Sequence, residues 1–331
     1  MKRTTDQWRT AALLAVLAIS LWAGARFGST WMSPAAFWGA LLHRSGFETQ
    51  TVILYAVRLP RVLAAVVAGA GLSLSGVLLQ SVTDNPLAAP NLIGVNAGAG
   101  FGMVLVLAVA PTALSLMAPA AFVGAFLTTL VIVSLASRSR SRAALILAGV
   151  AVSTAMSAVI SCFTYADADL LASFNAFSGG GFAGVGIDEL VVPAVTVTVC
   201  ALACAVLGDR IDLLCLGDSS ARLLGVRVGA LRLICVLCAS AAAASAVSFA
   251  GLLGFVGLIV PHIARRLYGH RTRPLVVASC AVGATVCVLA DLVGRTLAAP
   301  SEIPVGIMMA LLGAPFFLWL LVRREGRASD E

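Results

Sequence analysis

The chain has 331 residues, 60% of them hydrophobic and only 11% charged, with a formal net charge of +7. Globular domains carry about 25% charged residues, so this composition excludes a water-soluble fold and puts the chain in a lipid bilayer. The basic excess predicts no nucleic-acid partner, because the arginines fall between apolar runs rather than in one patch, as topology signals do. Lys2 is the single lysine, which excludes a Walker A loop, whose lysine reaches the phosphates. Any ATP used must be bound by another chain.

Ten apolar runs can carry a span, at 11–28, 61–82, 92–110, 116–137, 143–164, 189–207, 231–249, 251–262, 275–297 and 304–322. A regular helix needs about 20 residues to cross. The eighth run, GLLGFVGLIVPH, is too short for that and is expected as a short or broken helix backed by protein. The first run follows MKRTTDQWR and ends near Ala23-Gly24-Ala25, where a cleavable signal peptide is the rival reading; a retained helix completes an even count. With the N terminus in the cytoplasm, alternation puts seventeen basic residues inside, Arg138, Arg140 and Arg142 among them. It leaves five outside: Arg26, Arg44, Arg58, Arg61 and Arg295. The expected fold is all-α, a polytopic membrane protein with one transmembrane domain over 1–331 and about ten helices. Both termini are then cytoplasmic, and the two five-helix halves are inverted in orientation.

The second run opens with RLPR and is lined by Gly69, Gly71, Ser73, Ser75 and Gly76. Small side chains let backbones approach in lipid, so this helix reads either as a close-packing helix or as a pore wall. The fifth-to-sixth connection, YADADLLASFNAFSGGGFAGVGIDE, is rich in glycine and reads as a solvated, flexible outer loop. Its acids, Asp167, Asp169, Asp188 and Glu189, are not ordered as a calcium loop.

The inside loop over about 208–232 is structured by its own signals. Asp218 is the expected N-cap, Ser219 to Leu224 form about two turns, and Gly225 is the stop. Ala221, Leu223 and Leu224 then offer a small apolar surface, which either lies on headgroups or fits a groove in a partner protein.

No catalytic, cofactor-binding or metal site is expected. His43, His262 and His270 sit near span ends without the spacing of a metal pair. All eight cysteines follow residue 160, and the Cys235/Cys238 pair reads as small buried residues on a helix face. Asp291 is the one acid well inside an apolar run, a position that can mark ion coupling. Arg295, four residues later, is placed to neutralise it.

Six motifs in order complete the reading: RLPR (58–61), DNPLAAPNLIGVNAGAG (84–100), LGDSSARLLG (216–225), GFVGLIVPHIAR (254–265), ADLVGR (290–295) and EIPVGIMMALLGAPFFLWLL (302–321). Together they resemble the FecCD/cobalamin-type family of ABC importer permeases, whose members take up iron–siderophore, haem or cobalamin. The resemblance implies a cell-membrane subunit that pairs with a second permease subunit, identical or paralogous. It also implies two cytoplasmic ATPase subunits and an extracytoplasmic substrate-binding protein, with iron–siderophore as the leading cargo. It assigns docking of the binding protein to Arg58, Arg61 and Arg295, and the cytoplasmic gate to Asn85 and Leu87. It puts Gly69, Ser73 and Gly76 on the translocation path, so that enlarging Gly76 or Ser75 to Leu should block transport without blocking assembly. Leu216, Gly217, Asp218, Ala221, Leu224 and Gly225 become the ATPase-coupling segment. FNAFSGGGF departs from the Trp-containing siderophore pattern and looks more like the cobalamin-type version. The rival class is a stand-alone ion-coupled secondary transporter using Asp291 and the broken eighth helix.

Overall fold

The computed structural model describes residues 2–28, 30–137 and 143–328, and among the described residues the regular structure is all helical, with no strand. The helices are α1 (Lys2–Arg26), α2 (Pro34–Leu41), α3 (Glu48–Val52), α4 (Leu59–Thr83), α5 (Val95–Val109), α6 (Met117–Ser137) and α7 (Ala143–Ala166). They continue with α8 (Ala168–Gly179), α9 (Ile187–Leu214), α10 (Asp218–Leu223), α11 (Val228–Ala250), α12 (Val256–Tyr268), α13 (Thr272–Leu297) and α14 (Val305–Ala328). Each of the ten apolar runs holds one helix. Among the described residues, seven helical segments are long and apolar enough to cross a membrane, and α5 and α14 contribute shorter apolar stretches. The arginines at 138, 140 and 142 lie outside the described residues.

The centre of the bundle is α4, which packs against α9, α11, α12 and α13. Its apolar window is 78% buried, against 17% for α1 and for the span through α7, which face outward. Upstream, a π-helical stretch, Ile53–Arg58, runs straight into α4, with the Leu59 N–H bonded back to Leu54 O. Pro60 explains the widening: it has no N–H and its ring crowds the carbonyl four residues back. A locally wider turn lets the helix continue through it.

The eighth run folds in two pieces. Gly251–Phe255 is irregular, with Gly251 and Phe255 at positive φ (70° and 62°), and α12 adds 13 helical residues. Thirteen helical residues rise about 20 Å, short of a hydrocarbon core of about 30 Å, as expected for a short or broken helix. Backbone without helix is tolerated at membrane depth only inside protein, and Gly251 and Leu253 are buried, with the Leu252 N–H bonded to Phe177 O at 3.1 Å.

Contacts at the helix ends fix which ends share a side. The α1 C-terminal end, the α4 start and the α13 end meet through Arg58 and Arg295. At the opposite side Arg9 Nη1 reaches Leu267 O at 3.0 Å, bringing the α1 start to the α12 end. There too Asp212 Oδ1 accepts from the Thr272 N–H at 2.8 Å, joining the α9 end to the α13 start. For α1, α4, α9, α12 and α13 this pairing of ends agrees with the expected alternation.

The outer connection departs from the expected flexible loop. Asp167 caps α8, accepting from the N–H groups of Asp169 and Leu170 at 2.9 and 3.2 Å. The glycines after it are knitted into the bundle: Gly181 N donates to Ala250 O at 2.8 Å and Val305 N to Gly180 O at 3.1 Å. Helix propensity in ADLLASFNAF and the glycines' freedom to bring backbone against backbone account for the ordering.

Candidate functional site

At the end that holds the α1 C terminus and the α4 start, the outer one by the expected topology, charge gathers around α4. Arg58, Arg61 and Arg295, expected as exposed docking residues, are all buried, at 3%, 8% and 3% exposure. Arg58 donates to the carbonyls of Ala25, Arg26 and Thr30, and Arg295 donates to Gly24 O. Two guanidiniums thus satisfy carbonyls at and beyond the C-terminal turn of α1, the negative end of its dipole. Arg61 instead holds two acids. Its Nε lies 3.0 Å from both Asp291 oxygens and its Nη2 lies 2.8 Å from Asp291 Oδ1. Its Nη1 binds Glu302 at 2.8 and 3.1 Å.

The sequence-local pair Asp291–Arg295 is present at 3.4 Å but is the looser one. Asp291 is 2% exposed and fully engaged by arginine, so its carboxylate is not open to an ion. Glu302, whose part in the cluster had no sequence signal, is the exposed member, with 34% of its side chain accessible. It and Arg61 border an outer cavity of about 310 Å³, walled by Phe177, Phe182 and Phe249.

Along α4, Gly69, Ser73 and Gly76 turn into helix contacts. A Cβ on Gly69 would lie 2.2 Å from Gly283 O of α13, and one on Gly76 would lie 2.0 Å from Gly257 O of α12. Ser73 is fully buried and its hydroxyl donates to Gly69 O at 2.6 Å. In this chain these small residues make close backbone contacts, as the first of the two sequence alternatives expects.

At the inner end α4 stops at Asp84, with φ of 48°. Asn85 Oδ1 accepts from the Leu87 N–H at 3.0 Å, making a tight turn with both residues half-buried. Gln80, which carried no sequence signal, fixes that turn: its Nε2 donates to Ala88 O and Gly257 O at 3.2 and 3.3 Å, and its Oε1 accepts from Arg265. The loop at 85–90 is thereby locked to α12.

The helix α10 stands at the same end. Its N-cap is Gly217, with φ of 92°, rather than Asp218. Asp218 is the first helical residue, and its carboxylate binds Arg232 at 2.7 Å instead of capping. Gly225 ends the segment with φ of 81°, as expected for a left-handed stop. Ala221 is fully buried, while Leu216, Leu223 and Leu224 are 62%, 89% and 59% exposed.

The comparisons match this architecture. The profile of the FecCD transport family matches residues 13–323. The vitamin B12 import system permease protein BtuC of Klebsiella pneumoniae is 34% identical, covering 98% of this chain and 96% of the relative. The hemin transport system permease protein HmuU of Yersinia pestis is 33% identical, covering 96% of each. A solved structure described as an inward-facing conformation of a metal-chelate type ABC transporter superposes with a TM-score of 0.82 at 32% identity, covering 94% of this chain and 98% of that one. The chain is a multi-pass protein of the cell membrane and a transport subunit rather than an enzyme in itself, and it belongs to the FecCD transport family of ABC importer permeases.

Proposed function

We propose that this chain, paired with a second permease subunit, moves a metal–tetrapyrrole chelate into the cytoplasm using ATP hydrolysed by two separate ATPase subunits. The observation that carries the reading is α10: a short helix pinned by Asp218–Arg232, with three leucines left exposed at the arginine-rich end. A bare apolar knob on a fixed base fits a groove in a soluble partner, and the chain has no phosphate-binding lysine of its own. The coupling segment is then Leu216–Gly225. Relatives named for vitamin B12 and hemin support a tetrapyrrole cargo; they lend no support to the iron–siderophore expectation.

At the outer end, docking of a substrate-binding protein falls to the arginine cluster. Of its three arginines only Arg61 borders the open cavity, and Glu302 covers the guanidinium edge that an incoming carboxylate would take. Docking therefore exchanges Glu302 for a carboxylate of the binding protein, while Arg58 and Arg295 brace the rim. At the inner end the Asn85–Leu87 turn acts as the gate, and Gln80 couples its position to α12. Asp291, held by Arg61 and flanked by Arg295, disfavours the ion-coupled alternative.

Cells expressing the permease with its own ATPase and binding protein, offered labelled cobalamin, hemin or a ferric siderophore, test the cargo. Uptake of one of the two tetrapyrroles is expected; uptake of the ferric siderophore alone overturns it.

A further inference from the structure

We infer that the groove between the cytoplasmic ends of α9 and α11 is a binding site for one anionic phospholipid. The groove has a volume of about 620 Å³ and is walled by Leu207, Leu213, Leu231 and Ile234, with Arg210 and Arg227 at its mouth. Its polar and apolar parts are separated as in a lipid. Arg210 lies one turn before the end of α9 and Arg227 immediately precedes α11. Ile234 stands six residues into α11, about 9 Å deeper at 1.5 Å per residue. Above Arg210 the outer face of α9 continues as Val206, Leu202, Val199 and Val195, each between 57% and 75% exposed. An acyl chain leaving the groove finds an apolar track, which a water-soluble partner could not follow into the bilayer.

Charge selects the headgroup. Among the described residues, the acids that flank the groove in sequence are occupied: Asp209 by Arg273 at 2.7 Å, Asp212 by Thr272, and Asp218 by Arg232. Arg222 also lies beside Asp218, at 3.8 Å. Among the described residues, the Arg210 and Arg227 side chains have no hydrogen bond or ion pair, and no carboxylate lines the groove. Two uncommitted guanidiniums at the inner interface, over an apolar slot, suit the phosphate of an anionic lipid. The groove also includes Leu224 and Gly225, so the lipid would wedge the end of the α10 segment against α9. The binding claim does not depend on the coupling role proposed for that segment.

Native mass spectrometry of the purified full-length permease tests it, with phosphatidylglycerol, phosphatidylcholine and glycerol 3-phosphate as probes. The wild type should retain one phosphatidylglycerol per chain in preference to phosphatidylcholine, and glycerol 3-phosphate should not displace it. Arg210→Gln with Arg227→Gln should weaken retention on the order of 30-fold, from about fivefold per interfacial arginine. The corresponding Lys pair should keep most of it, and Arg271→Gln, an exposed arginine outside the groove, should change nothing. A phosphatidylglycerol with a photoreactive acyl chain should label the Leu207 and Ile234 peptides of the wild type, a readout that needs no variant. Equal retention of both lipids, unaltered retention in the double Gln variant, or labelling elsewhere overturns the proposal. Displacement by glycerol 3-phosphate also overturns it, showing a phosphate site rather than a lipid site.

Discussion

Arg61 and Asp291, 230 residues apart in sequence, form a buried two-pronged ion pair, with Arg61 Nε and Nη2 on the carboxylate at 3.0 and 2.8 Å. The pair ties the first turn of α4 to the last turns of α13. Removing one partner of a buried pair leaves an uncompensated charge and costs about 3–5 kcal/mol. Asp291→Ala should therefore lower the unfolding temperature sharply and reduce the yield of folded protein, since it leaves Arg61 with only the partly exposed Glu302 and Arg295 with only a backbone carbonyl. A thermal unfolding scan in detergent measures it. Loss of transport with unchanged stability would instead make Asp291 a functional acid.

Glu302→Gln separates docking from folding. Glu302 is partly exposed, so its contribution to stability is about 0.2–1 kcal/mol, yet it covers one edge of Arg61. The variant should stay folded and bind the substrate-binding protein more tightly at low salt, by a few-fold, mainly through a faster association rate. Arg61→Glu should weaken binding. Surface plasmon resonance on both variants decides the matter, and unchanged affinity in both removes Arg61 from the docking surface.

The small residues of α4 carry a different prediction from the one their sequence suggests. A Cβ at Gly76 would sit 2.0 Å from a backbone oxygen of α12, and backbone cannot yield as a side chain can. Gly76→Ala should cost at the upper end of the 1–3 kcal/mol seen for overpacking, and Gly76→Leu should prevent assembly rather than only block passage. Gly181→Ala, with nothing within 4 Å of the added methyl, is the neutral comparison. Size-exclusion chromatography of the three variants reads the difference.

Leu223, 89% exposed on α10, gives the complementary test. Burying a leucine is worth about 1.5–3 kcal/mol, so Leu223→Asp should weaken association with the ATPase subunits at least tenfold without altering the thermal stability of the permease. Pull-down of the ATPase subunits and a thermal scan together check it. Undiminished association sends α10 back to the lipid headgroups.

What the chain revealed in advance follows the range of the forces involved. Ten apolar runs marked ten helices because a lipid core calls for long apolar stretches, and the arginine asymmetry predicted which ends share a side. The eighth run was recognisable as too short, but its irregular first half depends on Phe177 and Gly180 across the bundle. Asp291 had one visible partner, the local Arg295; the stronger one, Arg61, arrives only through tertiary packing. Gln80 and Glu302 looked like ordinary polar residues beside a turn, and only the approach of Gly257 and Arg61 gives them a role. The α8 segment was obscured by the glycines that follow it, which order the backbone by hydrogen bonds to α11 and α14.

The central claim is that this chain is an ATP-driven importer subunit, and uptake into proteoliposomes tests it most directly. With permease, ATPase subunits and binding protein reconstituted, labelled cobalamin or hemin should accumulate only when ATP is supplied on the ATPase side, and a protonophore should leave the rate unchanged. Uptake by the permease alone, driven by an imposed proton gradient without ATP, would contradict the account.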